Sequence, residues 1–151
     1  MIRPFALAAM LFASCAVPDT RDGGCEESPE ALVQAPAATV RSGDASLPVE
    51  IADSDEKRMR GLQHRRCDVT GLLLVNEAPG TPLPIWMCEV FFDLDLAFVR
   101  DGIVVAVAEA PPCDAPCENC PIYGEGVAVD VVLETPAGTF PLQVGDAVEV
   151  R

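Results

Sequence analysis

The chain has 151 residues, which is enough for one domain once its ends are set aside. Acidic residues outnumber basic ones 24 to 10, and the formal net charge of -14 repels nucleic-acid phosphates and anionic lipid headgroups. Nucleic acid is therefore not expected as a partner. The 14 prolines and 11 glycines, beside one Trp and one Tyr, favour short strands and turns over long helices.

Residues 1–14 have the layout of a secretory signal peptide. Arg3 precedes an apolar run that ends at Ala13 and is too short to remain as a spanning helix. The next feature, Phe12-Ala13-Ser14-Cys15, resembles the bacterial lipobox, with Phe12 where Leu is usual. The pattern predicts that Cys15 becomes the lipidated first residue of a membrane-anchored, periplasmic or otherwise extracytoplasmic protein. Ordinary signal cleavage, with Cys15 free or in a disulfide, is the alternative.

The cysteine count agrees with export. Seven cysteines are an odd number for an oxidising compartment, but removal of Cys15 leaves an even set of six. The six candidates for disulfides are Cys25, Cys67, Cys88, Cys113, Cys117 and Cys120.

The chain after the signal divides into a tether and a domain. Residues 15–46 are polar and rich in Ala, Pro and Gly, which is typical of a flexible tether, although Cys25 could bind it back to the domain. Residues 47–151 are expected to form a single β domain. A first strand is predicted at Leu47–Ala52, followed by a short helix whose capping signal is Asp53 with Glu56.

The segment from Pro84 to Ala108 is the densest apolar stretch of the domain. Its even positions are all apolar, which is the period of a strand with one buried face: Trp86, Cys88, Val90, Phe92, Leu94, Leu96 and Phe98. One straight strand of this length would span about 40 Å, too long for a domain whose radius of gyration is about 13 Å. We therefore predict a break between Glu89 and Asp93, with strands at 85–88 and 94–100.

The remaining elements follow from turn signals and apolar runs. Gly71–Val75 is expected to be a strand buried on both faces, and Asp101-Gly102 predicts a tight hairpin. Residues 110–126 are expected to be an irregular, disulfide-stapled loop. Residues 127–135 are predicted as one strand with Val127, Val129, Val131 and Leu133 on one face, before a closing strand at 147–150. The fold class is therefore mainly β, a small sandwich or barrel of about six short strands with one short helix.

Several short motifs in this order resemble the family called domain of unknown function 192. They are Arg60-Gly61-Leu62 with Arg65, Gly71 to Val75, Trp86-Met87, Leu94 to Phe98, Asp101-Gly102, Cys113 with Cys120 to Tyr123, Val132-Leu133-Glu134 and Val144-Gly145-Asp146. Cys88, Glu89 and Val90 depart from the usual pattern. The resemblance implies a compact, mainly β fold in exported or surface-anchored proteins without an agreed activity. It also suggests that Cys113 pairs with Cys120, and Cys67–Cys88 with Cys25–Cys117 would complete the set.

Four residues are candidates for binding. Arg60 could hold a ligand carboxylate or phosphate, or pair internally with Asp95 to join helix and sheet. Trp86 and Tyr123 could line a pocket for a sugar or another flat ligand, although the strand period places Trp86 in the core. Asp95 is the one acid among Glu89, Asp93 and Asp95 that falls in a family motif, and it could instead be structural.

No catalytic set can be assembled around His64, the single histidine. Cys113, Cys117 and Cys120 have the spacing of an iron–sulfur or zinc site, but export favours disulfides. We therefore expect a non-catalytic binding or envelope-accessory domain, without cofactor or metal, whose partners are the membrane and a small ligand or an envelope protein. The competing hypothesis is a small exported hydrolase that uses Asp95 and Arg60 near Trp86.

Overall fold

The computed structural model describes residues 25–151, in which there are eleven strands and one α-helix, α1, at Asp55–Arg60. The strands are β1 Ala38–Ser42, β2 Ala45–Ala52, β3 Leu72–Val75, β4 Thr81–Pro82, β5 Ile85–Trp86, β6 Leu94–Arg100, β7 Ile103–Ala110, β8 Ile122–Tyr123, β9 Ala128–Val129, β10 Val131–Pro136 and β11 Glu149–Val150. The predicted mainly β fold with one short helix is confirmed. Five of these strands have two residues each, so six longer ones carry the fold.

Seven strands form one curled sheet in the order β11-β1-β2-β3-β10-β6-β7. All neighbours are antiparallel except β2 and β3, which are parallel. A parallel pair requires a crossover connection, and α1 lies in this one. The curl brings the two ends of the sheet together, because Ala147 bridges Ile103 and the Val148 amide donates to Gly102 O over 2.8 Å.

Both faces of the central strands are buried, each in its own apolar cluster. Leu72 and Leu74 of β3 pack in one cluster with Leu96 of β6, whereas Leu73 packs in the other. The prediction of a strand buried on both faces at 71–75 is therefore confirmed for Leu72, Leu73 and Leu74. The first cluster, which also contains Leu62 and Met87, forms the side on which α1 lies.

The predicted break in the 84–108 segment is confirmed. Strand β6 begins at Leu94 and ends at Arg100, as the length argument requires, and β5 covers only Ile85–Trp86. The hairpin is confirmed too, since Asp101 (φ 51°) and Gly102 (φ 71°) both adopt the positive φ of a type I′ turn. The expected burial of Trp86 is wrong, because the break changes the face to which it belongs and leaves it 43% exposed.

Three local predictions need correction. Strand β1 lies inside the segment expected as a tether through residue 46, so the sheet begins at Ala38. The N-cap of α1 is Ser54, whose hydroxyl accepts from the Lys57 amide over 3.4 Å, while Asp53 accepts from the Lys57 side chain. The strand expected at 127–135 is divided at Asp130 into β9, which pairs with β4, and β10, which pairs with β3 and β6.

The loop at 110–126 is stapled by disulfides, as expected, but is not wholly irregular. It contains a 3-10 turn at Cys117–Asn119 and strand β8, which pairs with β5. Cys113–Cys120 is confirmed, whereas the expected Cys67–Cys88 and Cys25–Cys117 pairs are wrong. The bonds observed are Cys25–Cys67 and Cys88–Cys117. Three disulfides indicate an oxidising, extracytoplasmic environment.

The segment that begins at Cys25 is bound to the domain by more than its disulfide. Arg65 donates from Nε to the Glu27 carboxylate over 2.7 Å and from Nη1 to Glu50 over 2.9 Å. The same Nη1 donates to the carbonyl oxygen of Leu32 over 3.2 Å. The Arg65 side chain, only 3% exposed, therefore joins the N-terminal segment to β2.

Within residues 25–151, no helix has the length and apolar character needed to cross a membrane. The predicted signal peptide and Cys15 lie outside the described residues.

Candidate functional site

A cleft of about 580 Å³ opens on the α1 side of the sheet. Its walls are the helix, the segment from Leu83 to Val90, and two sheet residues. The described residues that line it are Asp55, Arg58, Met59, Arg60, Gly61, Leu62, Leu74, Leu83, Pro84, Ile85, Trp86, Met87, Val90 and Glu134. Most are apolar, and several belong to the first core cluster, so the cleft is an opening into the core.

The sheet contributes one acid to this apolar surface, Glu134 of β10. Its neighbours across the strands are Leu72 of β3 and Leu96 of β6. Because side chains alternate along a strand, Glu134 shares its face with Val132, which is fully buried in the first cluster. The sequence thus places a carboxyl group where every neighbouring strand position on the same face is apolar.

Burial changes the protonation of Glu134. The residue is 4% exposed, and burial raises the pKa of its carboxyl group from 4.5 to about 8. The Glu134 carboxyl group has no hydrogen bond to the described residues. Its oxygens are nevertheless not fully buried, because every fully buried side-chain oxygen or nitrogen among those residues has a partner. Its carboxyl oxygens are therefore open to the cleft, and the group is mostly protonated at neutral pH.

Two arginines of α1 line the cleft, and they differ in the number of hydrogen bonds that each guanidinium makes to the protein. Arg58 donates to Val75 O over 3.1 Å and to the carboxylates of Asp55 and Glu77. Arg60 is exposed, and its guanidinium donates from Nη1 to Glu30 O over 2.9 Å, with no other side-chain hydrogen bond to the described residues. Arg60 therefore keeps donors that a bound molecule can use.

Trp86 forms the opposite side of the mouth, and the disulfide loop holds it there. Its Nε1 donates to the Cys117 carbonyl over 3.0 Å, and Cys117 is bonded to Cys88, two residues after Trp86. Strand β8 pairs with β5, with Trp86 opposite Ile122. This bracing leaves the indole exposed beside the cleft, where a ligand can contact it.

The loop approaches the core closely at Gly124, which has a φ of +75°. A Cβ at this position would lie 2.1 Å from the Phe98 ring, so only glycine fits between the loop and the first cluster.

The structure brings together two of the four predicted binding residues, Arg60 and Trp86. Tyr123 is opposite Ile85 in the β5–β8 pair and packs on the core, but it is not among the residues that line the cleft. Asp95 lines a second cavity of about 320 Å³ on the other side of the sheet. Its Oδ2 accepts from the Gly138 amide over 2.7 Å.

The expected internal pair between Asp95 and Arg60 is therefore wrong, and the two residues do not share a cleft. Asp95 takes a backbone hydrogen bond on its own face of the sheet, while Arg60 lies at the mouth on the other face.

The iron–sulfur and zinc interpretations of Cys113, Cys117 and Cys120 are also wrong, since all three are in disulfides. The ligand atoms of Cys88, Glu89 and Cys117 lie within 4.8 Å of one another, but both sulfurs are already bonded. A cysteine binds a metal ion as its thiolate, and the disulfide between Cys88 and Cys117 leaves neither sulfur in that form.

Sequence reasoning missed Glu134. The strand prediction for 127–135 places Val127, Val129, Val131 and Leu133 on one face, and it gives Glu134 no role beyond its place in the motif Val132-Leu133-Glu134. A signal was present, because residues 131–134 read Val-Val-Leu-Glu and a strand apolar on both faces predicts that its acid is buried.

Fold and site together define a small, disulfide-bonded β domain with an apolar cleft that holds one buried acid. The family model for domain of unknown function 192, described as "Uncharacterized ACR", matches residues 38–150. The chain belongs to this family.

Two solved structures resemble this one. A candidate transcription regulator from Sinorhizobium meliloti 1021 is 27% identical, with a TM-score of 0.62 over 78% of this chain and 97% of that one. A protein of unknown function from Novosphingobium aromaticivorans DSM 12444 is 25% identical, with a TM-score of 0.57 over 74% of this chain and 82% of that one. None of the curated proteins matches the chain.

Proposed function

We propose that this protein is a non-catalytic binding domain on the extracytoplasmic side of a bacterial membrane, and that the cleft takes a small amphipathic ligand. The observation that carries the proposal is Glu134, a buried acid without a protein partner among the described residues, open to a cavity of about 580 Å³.

The size and lining of the cleft support a small ligand. Pockets for small molecules usually measure about 300 to 1,000 Å³ and combine mostly apolar walls with a few polar groups. This cleft has Leu62, Leu74 and Met87 in its wall, Glu134 on the sheet and Arg60 at the mouth. A ligand can bury its apolar body and satisfy one polar group at each end.

The energetics of Glu134 support the same function. A buried polar group without a hydrogen bond costs about 1 to 3 kcal/mol in folded proteins. A residue chosen only for stability at this position would be apolar, like its strand neighbours Leu72 and Leu96. A ligand that bonds to the carboxyl group recovers this cost as binding free energy.

The residue types of the lining favour binding over hydrolysis. The described residues around the cleft include two acids, Asp55 and Glu134, and no Ser, Thr, Cys or His. A nucleophile activated by an adjacent base needs one of those side chains in most hydrolases. The competing hydrolase hypothesis needs Asp95 and Arg60 in one cleft, but these two residues line different cavities.

Membrane anchoring through Cys15 is the second part of the proposal. It is supported by the lipobox-like Phe12-Ala13-Ser14-Cys15, by the even count of six remaining cysteines, and by the three disulfides. The residues between Cys15 and the disulfide-bonded Cys25 would then connect the lipid to the domain.

The charge of this chain does not favour DNA binding. The net charge of -14 opposes the approach of a phosphate backbone, and electrostatic attraction supplies nearly all non-specific DNA binding. A small ligand or an envelope protein remains the expected partner.

The chain's single tryptophan lies at the cleft, so its fluorescence tests the binding proposal directly. We expect a panel of sugars, organic acids, amines and peptides to contain compounds that change Trp86 emission and raise the melting temperature. Leu83→Phe, which narrows the cleft, should abolish both effects. The matched control is Leu142→Phe, beside the second cavity, which should retain them. A panel without any responding compound would overturn the small-ligand proposal in favour of an envelope protein.

Anchoring is tested by intact mass measurement of the protein extracted from membranes. We expect acyl chains on Cys15, and we expect Cys15→Ser to release the protein from the membrane fraction. An unmodified mature mass would contradict the anchor and leave the binding proposal standing.

A further inference from the structure

We propose that the ligand is an amphipathic organic cation, a molecule with an apolar body and one protonated amine, and that its ammonium group pairs with the Glu134 carboxylate. This inference rests on the proposed binding function and adds the chemical class of the ligand.

No positively charged side chain among the described residues is paired with the Glu134 carboxyl group. Its neighbours on β3 and β6 are Leu72 and Leu96, and the segment from Leu83 to Val90 contributes only uncharged residues to the cleft. The charged groups of α1 that line the cleft are Asp55, Arg58 and Arg60. Asp95 and Glu109 lie on the opposite side of the sheet, around the second cavity.

Neither arginine neutralises the Glu134 carboxylate. Arg58 is held by Val75 O, Asp55 and Glu77, and Arg60 is directed to Glu30 O outside the cleft. Burial is the cause that shifts the pKa of Glu134, and no arginine lowers it. Within residues 25–151 the carboxyl group therefore lacks a counter-ion, which a bound ammonium group would supply.

Three features favour a cation over a neutral hydrogen-bond acceptor. An ammonium–carboxylate hydrogen bond is about twice as strong as a neutral one. The exposed face of Trp86 at the mouth attracts cations through its ring electrons. The net charge of -14 raises the local concentration of small cations around the domain.

Ionisation of Glu134 costs little compared with these gains. With a pKa of about 8, roughly one molecule in ten already carries the carboxylate at pH 7. Binding therefore weakens only about tenfold relative to a fully ionised site. On binding at pH 7, the Glu134 carboxyl group loses its proton to the solvent while the amine keeps its own proton.

This proton exchange sets the sign of the pH dependence. Alkylamines stay protonated up to about pH 10, so between pH 6 and 8 the ligand keeps its charge while Glu134 titrates. Affinity for a cation should rise about 50-fold from pH 6 to pH 8, as the ionised fraction of Glu134 rises from about one in a hundred to one half. A ligand that accepts a hydrogen bond from protonated Glu134 would bind less tightly as the pH rises.

The test compares phenethylamine with 2-phenylethanol, which has the same apolar body and a hydroxyl in place of the amine. Binding to the full-length protein is followed by Trp86 fluorescence at pH 6, 7 and 8. We expect phenethylamine to bind more tightly at each pH unit and 2-phenylethanol to show a nearly constant, weaker affinity. The cation inference would be overturned if the alcohol bound more tightly than the amine, or if the affinity for the amine fell as the pH rose. Either result would leave the proposal of a small-ligand cleft standing.

Glu134→Gln provides the site-specific variant, because a neutral amide resembles the protonated acid and should not disturb the fold. We expect it to lose at least tenfold in affinity for phenethylamine at pH 8 and to abolish the pH dependence, with 2-phenylethanol unchanged. Glu109→Gln is the matched control and should behave as the wild type. An unchanged amine affinity in Glu134→Gln would overturn the inference. If neither probe binds but other panel compounds do, the cation inference is overturned and the small-ligand proposal stands. If no compound binds, both are overturned.

Discussion

Three ionisable residues are buried among residues 25–151: Glu50, its partner Arg65, and Glu134. The surroundings of Arg65 and Glu134 differ. Arg65, with 3% of its side chain exposed, has hydrogen bonds to two carboxylates and a backbone carbonyl. Glu134 is similarly buried at 4% exposure, but its carboxyl group has no hydrogen bond to the described residues and opens onto a cleft. The first group joins parts of the fold, whereas the second is available to another molecule.

The pKa shifts show the same contrast. For Arg65, burial acts to lower the pKa of the guanidinium, but its hydrogen bonds to the Glu50 and Glu27 carboxylates outweigh burial and raise the pKa. For Glu134, burial acts alone and raises the pKa to about 8. A buried charge with partners is thus a structural element, and one without partners is a candidate for function.

The largest effect should come from Arg65→Met. Removal of the guanidinium leaves the carboxylate of Glu50, itself 5% exposed, without a counter-ion. Breaking a buried pair in this way typically costs about 3 to 5 kcal/mol of unfolding free energy, measurable by denaturant titration. Arg151→Met, which breaks an exposed pair with Glu149, should leave stability unchanged within error. Equal effects of the two variants would contradict the structural role of Arg65.

The second effect concerns the disulfide that holds the same N-terminal segment. Replacing both Cys25 and Cys67 with Ser opens a loop with a sequence separation of 42, worth about 4 kcal/mol on the chain-entropy model. The Cys113–Cys120 pair, with a separation of 7, should cost less, about 2.5 kcal/mol. Unfolding under non-reducing conditions measures both. A larger loss for the shorter loop would show that native-state contacts, rather than chain entropy, dominate.

The third prediction concerns Glu134 and pH. The folded-state pKa of about 8 exceeds the ordinary value of 4.5, so the folded protein binds more protons between these values. The contribution of Glu134 to stability should therefore be greatest below pH 4.5 and should fall as the pH rises toward 8, by about 1.4 kcal/mol per unit.

Glu134→Gln should lack this slope. Its stability relative to the wild type should increase by about 3 kcal/mol between pH 5 and pH 7. Glu109→Gln, at an exposed position, should follow the wild type at both pH values. Parallel stability curves for the wild type and Glu134→Gln would show that Glu134 is solvated or paired, and would remove the contrast with Arg65.

The smallest effect should come from Asp95→Ala. This variant removes a partly exposed hydrogen bond to the Gly138 amide, worth about 1 kcal/mol. Ligand affinity at the cleft should not change, because Asp95 lies on the other side of the sheet. Loss of ligand binding in a stable Asp95→Ala protein would place the functional site there instead of at Glu134.

Local patterns predicted much of the fold. The Asp101-Gly102 hairpin and the limits of β6 followed from turn chemistry and from the length that a domain allows. Those features depend on neighbouring residues alone. The pairing of Cys25 with Cys67 did not follow, since six cysteines permit fifteen connectivities and only the folded chain brings two of them together.

The candidate site was predicted less well. Arg60 and Trp86 were selected and do meet at the cleft, but Trp86 was expected in the core and Asp95 was expected beside Arg60. Both errors concern the side of the sheet on which a residue lies. A strand period says which residues share a face, but not which face receives the helix.

The sequence by itself determined the mainly β class, the single short helix, the even set of six cysteines and the family. Composition, turn residues and spacing are local properties, and they act before any long-range contact forms. The tertiary structure alone decided that Glu134 lies between Leu72 and Leu96 and lines the cleft beside α1, and that Asp95 lies on the other side of the sheet. The pKa of this carboxyl group is raised by low-dielectric surroundings, and strands that are distant in the sequence form those surroundings.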